Sequence, residues 1–237
     1  MSNIFFKFKQ FTIFQDQCAM KVGTDGVLLG AWTNVDNCHQ ILDIGTGTGL
    51  IALMLSQRNP KAIIDAIDID KQCFVQAQQN VAYSIFADRV NVQNISFQEF
   101  LQHADKKYDL IVSNPPYFQN ALKSPSQSRT HARHTDSLSF LEIISQGVSL
   151  LTKNGRIALI LPHEFKQALL DHASILNLFA NRITNVFPMP QKPAKRLLIE
   201  LSRDKVKFGE DHLTIELARH QYSDAFKELT QGFYLDR

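Results

Sequence analysis

Short apolar runs alternate with segments of helical periodicity along most of the chain. Seven runs have the length and composition of buried strands: residues 41–44, 62–67, 89–93, 108–113, 155–161, 182–187 and 197–201. Helical spacing of apolar residues follows most of them, which is typical of a parallel sheet with helices on both faces. No helix separates the last two runs, so we expect them to pair as an antiparallel hairpin. The pattern predicts an α/β fold with a seven-stranded, mostly parallel sheet and an antiparallel last strand.

Flanking segments add smaller elements to this sheet. Residues 6–14 largely alternate between aromatic and polar positions, which predicts one or two edge strands. Residues 20–32 predict a helix that begins near Gly26 and is capped by Thr24 or Asp25. We expect a single domain over 1–237, with 1–40 as strands and a helix before the sheet and 203–237 as a strand and helix extension.

Composition places the chain among globular proteins. Hydrophobic residues make up 44% and charged residues 20% of its 237 residues, enough for one sizeable core. The net charge is only +2, so overall charge gives no argument for nucleic acid, and a basic patch must be local.

Cysteine usage and apolar run length bear on location. Cys18, Cys38 and Cys73 lie far apart without C-x-x-C spacing, so neither a disulfide nor a metal site is expected. The first residues lack an uninterrupted apolar region of signal-peptide length, and no run approaches the roughly 18 apolar residues of a membrane span. These features predict a cytoplasmic protein in a reducing compartment.

A glycine-rich turn follows the first strand of the predicted sheet and precedes a helix. Its residues are Asp43, Gly45, Thr46, Gly47 and Gly49. A dinucleotide fingerprint would place its third glycine at the position of Leu50. A carboxylate just before the turn would repel a diphosphate and suits a cationic ligand group instead. The spacing therefore indicates a ligand with a positive charge, held by a strand, turn and helix.

An acid closes the second strand at the same edge of the sheet. Asp68 lies 19 residues beyond Gly49 (68 − 49), near the usual spacing of an acid that accepts hydrogen bonds from ribose hydroxyls. Ile69 follows it and belongs to the same predicted site. Asp70 is predicted to cap the next helix.

The fourth strand runs directly into Asn114, Pro115, Pro116 and Tyr117. An exocyclic amine is a poor nucleophile because its lone pair is delocalised into the ring. Two acceptors, the Asn114 side-chain carbonyl and the Pro115 backbone carbonyl, would favour the geometry that attacks a methyl group. Successive prolines stiffen these acceptors, and Tyr117 offers a flat face for a flipped-out base. The motif predicts methylation of a planar NH₂ group.

These motifs together identify a resemblance. The glycine turn resembles motif I of the Rossmann-like class I methyltransferases, which bind S-adenosylmethionine. The Lys-Val-x-Thr-Asp-Gly run that begins at Lys21, and the end of the chain, resemble the bacterial tRNA1(Val) adenine N6-methyltransferases. The resemblance implies that Lys21, Thr24 and Asp25 lie in the cofactor site with Asn114.

Two positions after the third strand belong to the predicted adenine contact. In related methyltransferases an Asp commonly meets the adenine amine, whereas this chain has Ser96. Phe97 is a candidate to cover the adenine ring, with a place in the core as the alternative.

Basic side chains in two loops are the predicted RNA contacts. Arg129, Arg133 and His134 lie in the polar segment 119–137, which is either a phosphate-facing lid or a solvated loop. Lys192, Lys195 and Arg196 lie in a proline-rich connection. No third ligand accompanies the paired histidines of the first loop, so a metal site is not predicted.

The predicted function is S-adenosylmethionine-dependent N6-methylation of adenine beside the tRNA anticodon. The alternative enzymes methylate guanine N2 in ribosomal RNA or a protein glutamine, because the Asn-Pro-Pro-Tyr motif fixes the acceptor group but not the substrate. An alternative of another class is a catalytically silent RNA-binding module. We expect tRNA as partner, no membrane contact and no obligate protein partner.

Overall fold

A computed structural model gives the structure of residues 3–116, 138–205 and 209–235. Its strands are β1 (Phe5–Lys7), β2 (Thr12–Phe14), β3 (Gln40–Ile44), β4 (Ile63–Asp68), β5 (Val90–Asn94), β6 (Tyr108–Ser113), β7 (Leu151–Pro162), β8 (Phe179–Phe187), β9 (Arg196–Ser202), β10 (Gly209–Thr214), β11 (Glu216–Ala218) and β12 (Gln221–Tyr222). Its helices are α1 (Thr24–Trp32), α2 (Leu50–Arg58), α3 (Lys71–Ala82), α4 (Phe97–His103), α5 (Phe140–Gly147), α6 (Lys166–Ile175) and α7 (Asp224–Thr230).

Eight strands form the central sheet, in the order β10-β8-β9-β7-β6-β3-β4-β5. Neighbours are parallel except at β9, which is antiparallel to β7 and β8. The α/β fold and the final hairpin are therefore confirmed. The predicted count of seven strands was wrong, because β10 adds an eighth, parallel to β8 at the sheet edge. Residues 209–212 are exposed and carry no apolar alternation that would mark a strand.

Apolar residues cover both faces of this sheet. Successive strand residues point to opposite faces, so Ile41 packs with α1 and α2 while Leu42 packs with α4 and α5. Burial on both faces explains why the central strands read as continuous apolar runs.

The start of α1 differs from its predicted form. The helix begins at Thr24, its N-cap is Gly23, and no side chain caps it. Capping by Thr24 or Asp25 was thus wrong. Asp25 instead forms an ion pair with Arg196, whose Nε lies 2.7 Å from Asp25 Oδ2. By contrast, Asp70 caps α3 as predicted, accepting from the backbone N–H groups of Gln72 and Cys73.

A disulfide joins Cys18 to Cys73, contrary to the sequence prediction. The segment after β2 runs back along α3, where the Gln17 backbone N–H donates to Gln76 Oε1 over 2.9 Å. This contact places Cys18 beside Cys73, with their Cα atoms 4.6 Å apart. The two cysteines are 55 residues apart in sequence, so only the tertiary fold reveals the pair.

The β1–β2 hairpin packs on the end of the chain and on α3. Its Phe8 ring stacks on Tyr234 with 5.9 Å between ring centroids. Asn80 of α3 accepts from the Phe14 backbone N–H over 2.8 Å and donates to the Phe14 and Thr48 carbonyls over 2.9 Å each. The hairpin is thereby tied to the glycine turn. Within the described ranges, no helix is long and apolar enough to span a membrane.

Candidate active site at the carboxyl ends of the strands

Three adjacent strands bring the predicted site residues to one edge of the sheet. Ile44 at the end of β3 pairs with Ile67 of β4 on one side and with Ser113 of β6 on the other. The glycine turn, Asp68 and Asn114 follow these positions directly. Ligands of open α/β sheets bind in the crevice outside the carboxyl ends of the strands, so this edge is the candidate site.

The glycine turn leaves open space above it. Gly45 and Gly47 have φ angles of 70° and 57°, which residues with a Cβ rarely adopt. A Cβ added at either position would meet no atom within 4 Å. On the β4 side, the Gly45 and Thr46 N–H groups donate to the Ile67 carbonyl over 2.9 and 3.0 Å. The turn is therefore fixed in place while its upper side can admit a ligand.

Asp43 lies beneath this turn. Its side chain is fully buried, and the Thr46 hydroxyl donates to Asp43 Oδ2 over 2.7 Å. Burial raises the pKa of Asp43 to about 7, against the lowering effects of the Thr46 hydroxyl and the Ala52 backbone N–H. Asp43 thus shapes the turn and supplies negative charge from below, and a direct contact with a ligand stays a prediction.

Asp68 lies at the side of the turn and is partly exposed. It accepts from the Gly47 N–H at Oδ2 over 2.8 Å and from the Asp70 N–H at Oδ1 over 2.9 Å. Burial raises its pKa, while these backbone hydrogen bonds lower it. Each carboxylate oxygen has a second acceptor position, so ribose hydroxyls can still bind. Ile69 beside it is 55% exposed and offers an apolar surface at this edge.

The two residues predicted to meet an adenine have structural partners. Ser96 is the N-cap of α4, where its hydroxyl accepts from the Glu99 N–H and donates to the Glu99 carboxylate in a capping box. Phe97 is 3% exposed and lies in the core beneath the sheet, the alternative that the sequence left open. An adenine contact by Ser96 stays a prediction.

The start of α1 approaches the glycine turn from the other side. A Cβ added at Gly26 would lie 3.0 Å from Leu50 Cδ2, in the first residue of α2. Lys21 and Thr24 are exposed beside this contact. The Asp25–Arg196 ion pair joins a predicted cofactor residue to a predicted RNA contact, so each charge is partly satisfied by the other.

Asn114 and Pro115 continue β6 into the site. Asn114 is half-buried, Pro115 is buried and Pro116 is exposed. Tyr117 lies outside the described residues. The sequence reading missed Ser113, which is 1% exposed and donates its hydroxyl to the Ile44 carbonyl over 2.7 Å. A serine at the end of the run Leu-Ile-Val was the available signal.

The predicted RNA contacts divide between two places. Lys192 and Lys195 are exposed in the connection between β8 and β9. The Pro162–Arg196 pairing puts this connection at the site edge of the sheet. The other predicted contacts lie outside the described residues: Arg129, Arg133 and His134. In the described ranges, no group of three or more His, Cys, Asp or Glu side chains is placed to hold a metal ion.

The residues at this edge fit an adenosyl compound with a cationic group. Open space lies above Gly45 and Gly47, an acceptor for ribose hydroxyls lies at its side, and a buried carboxylate lies below. The backbone after β6 then faces the same crevice from the neighbouring strand. This arrangement can bring a methyl donor and a planar amine together.

Comparison with known proteins identifies relatives over the full chain. The family model described as "Methyltransferase small domain" matches residues 21–179. A protein of Parabacteroides distasonis is 52% identical over 99% of both chains. One of Trichodesmium erythraeum is 50% identical over 97% of both, and one of Bacteroides thetaiotaomicron is 48% identical over 99% of both. All three are named tRNA1(Val) (adenine(37)-N6)-methyltransferase.

Solved structures share the fold at low sequence identity. A protein of Agrobacterium tumefaciens, described as a predicted O-methyltransferase, has a TM-score of 0.65 at 18% identity over 88% of this chain and 96% of that one. A methyltransferase of Pyrococcus furiosus has a TM-score of 0.54 at 16% identity over 75% and 81% of the two chains. These likenesses support the fold alone.

Proposed function

Because the chain belongs to the methyltransferase small domain family, we propose that it methylates N6 of adenine 37 in tRNA1(Val), with S-adenosylmethionine as donor. The observation that carries the proposal is the meeting of two turns at one sheet edge. The glycine turn after β3 and the Asn-Pro-Pro sequence after β6 follow strand residues that pair directly, Ile44 and Ser113.

The cofactor side of the reaction is assigned to four groups. When bound, S-adenosylmethionine supplies a methyl group on a positively charged sulfur. Gly45 and Gly47 provide the space above the turn, and Asp68 accepts hydrogen bonds from the ribose. Asp43 places a negative charge below the turn, which favours a cation in the crevice.

The acceptor side is assigned to Asn114 and Pro115. The Asn114 side-chain carbonyl and the Pro115 backbone carbonyl accept the two N–H bonds of the adenine amine. This interaction turns the nitrogen lone pair toward the methyl group. Neutral acceptors suffice, because the methylated amine is acidic enough to lose its extra proton afterwards. Alignment of the two reactants then supplies most of the rate increase.

The relatives' names favour adenine over the other planar amines. Three relatives of 48–52% identity over nearly the full chain are named for adenine N6 in tRNA. This likeness disfavours both guanine N2 of ribosomal RNA and protein glutamine as acceptors. An intact Asn-Pro-Pro sequence beside an open glycine turn also disfavours a catalytically silent RNA-binding module.

RNA binding is assigned to the rim of the same crevice. Lys192 and Lys195 are exposed there and are the first candidates for phosphate contacts. Arg196 is a weaker candidate because of its ion pair with Asp25. We infer a cytoplasmic location from the tRNA substrate, since the disulfide removes the cysteine argument.

A methyl-transfer assay tests this function. Purified protein is incubated with labelled S-adenosylmethionine and a panel of tRNA transcripts. Label is expected in valine tRNA, as N6-methyladenosine, and is expected to disappear when adenine 37 is replaced by guanine. Label on ribosomal RNA guanine or on a protein glutamine would contradict the substrate while leaving amine methylation intact.

A further inference from the structure

Ser113 joins the two halves of the proposed active site. Its hydroxyl donates to the Ile44 carbonyl over 2.7 Å, between the last paired residues of β6 and β3. The residue after Ile44 is the first glycine of the turn, and the residue after Ser113 is Asn114. One side-chain hydrogen bond therefore lies between the cofactor turn and the acceptor sequence.

The glycine turn is fixed differently on its two sides. Toward β4, backbone N–H groups of Gly45 and Thr46 donate to the Ile67 carbonyl. The Asp68 carboxylate adds a bond to the Gly47 N–H. Toward β6, the Ser113 hydroxyl supplies a side-chain bond at the point where the two strands diverge. The β4 side fixes the shape of the turn, whereas the β6 side sets its distance from Asn114.

We propose that Ser113 is a positioning residue for methyl transfer, acting by holding Asn114 and Pro115 at a fixed distance from the glycine turn. This inference rests on the proposed function. The hydroxyl does not face the reactants, since Ser113 is 1% exposed and its donor is used by the Ile44 carbonyl. It acts through the backbone on both sides.

The physical reason lies in the geometry of the reaction. Methyl transfer needs the amine nitrogen, the methyl carbon and the sulfur in line. In a site that works by alignment, a shift of about 1 Å in one reactant costs on the order of 100-fold in rate. Loss of one hydrogen bond permits a smaller shift, so we expect a decrease of about tenfold in kcat.

The experiment compares two substitutions at this position. In Ser113→Ala, kcat is expected to fall about tenfold, while the dissociation constant of S-adenosylhomocysteine, measured by calorimetry, stays within about twofold, because the contacts of the turn to β4 remain. Ser113→Thr keeps the hydroxyl and is expected to restore most of the lost kcat.

A matched control separates positioning from stability. Thr33 lies at the other end of α1, is fully buried, and donates its hydroxyl to the Leu29 carbonyl over 2.7 Å. Thr33→Val removes a hydrogen bond of the same kind, so its thermal midpoint is expected to fall while kcat stays at the wild-type value.

Amide hydrogen exchange provides a readout that needs no methyl acceptor. With S-adenosylhomocysteine bound, exchange of the backbone amides in 44–49 and 113–116 is expected to be faster in Ser113→Ala and unchanged in Thr33→Val. Failure of the wild-type protein to methylate tRNA would count against the proposed function only. Unchanged exchange in Ser113→Ala, a kcat equal to wild type, or an equal loss of kcat in Thr33→Val would each overturn the positioning role.

Discussion

Replacement of Asp68 tests the cofactor site through a single contact. A hydrogen bond to a charged group contributes about 1.5–3 kcal/mol, which corresponds to roughly a 10- to 150-fold change in dissociation constant. The structure adds a complication, because Asp68 also accepts from the N–H groups of Gly47 and Asp70. Asp68→Ala therefore removes support of the turn as well as the ribose contact.

A cycle of protein and ligand changes separates these two effects. Calorimetry would measure S-adenosylhomocysteine and its 2′,3′-dideoxy analogue against wild type and Asp68→Ala. Loss of turn support affects both ligands equally and cancels, so the coupling energy reports the ribose contact alone. We expect a coupling of at least about 1.5 kcal/mol.

Asp70→Ala is the matched control for this cycle. It removes a neighbouring carboxylate that caps α3 and is expected to lower stability by about 1 kcal/mol. Because its oxygens accept from α3 backbone groups, it should show no coupling to the ribose hydroxyls. A coupling below about 0.3 kcal/mol for Asp68 would refute the ribose assignment, since independent sites are additive within that margin.

Four further outcomes follow from the site and the fold. Asn114→Ala is expected to lower kcat while leaving cofactor affinity near wild type, because its carbonyl acts as the amine changes shape; steady-state kinetics with calorimetry checks this. Removing Lys192 and Lys195 is expected to reduce the slope of log affinity for tRNA against log salt by somewhat under one per true phosphate contact; an unchanged slope would place both on an idle surface. Reduction of the disulfide is expected to lower the free energy of unfolding by about 2–4 kcal/mol in urea titrations, more than its effect on a protein with both cysteines replaced by serine, which should be none. Affinity for S-adenosylmethionine is expected to rise with pH through about 7, and Asp43→Asn should flatten this dependence in calorimetric titrations.

Local features of the site could be predicted from the sequence because their causes are local. A strand, a turn with left-handed glycines and a helix follow one another in the chain at 41–58, and each leaves its own residue signature. The Asp70 cap is equally local, since its partners lie two and three residues away. The edge of the sheet follows from the common direction of the parallel strands.

Contacts between distant residues could not be predicted in this way. The Asp25–Arg196 ion pair and the Cys18–Cys73 disulfide depend on how α1, α3 and β9 pack, which neither periodicity nor spacing encodes. Ser113 was missed for a related reason. Its importance comes from strand register, which pairs it with Ile44 across 69 residues of sequence.

Two carboxylates, one beneath the glycine turn and one beside it, give the site its electrostatic character. Burial raises the pKa of both Asp43 and Asp68, and the negative charge of Asp68 raises that of Asp43 further. The folded pKa of Asp43 is about 7, against an ordinary value of 3.8. Its contribution to stability is therefore fully present below the ordinary value and is lost as the pH rises through about 7. A sulfonium cation held in the crevice favours the ionised carboxylate and offsets that loss. Binding of the methyl donor and ionisation of Asp43 are thus coupled, so the ligand that the site needs for chemistry is also the one that relieves its buried charge.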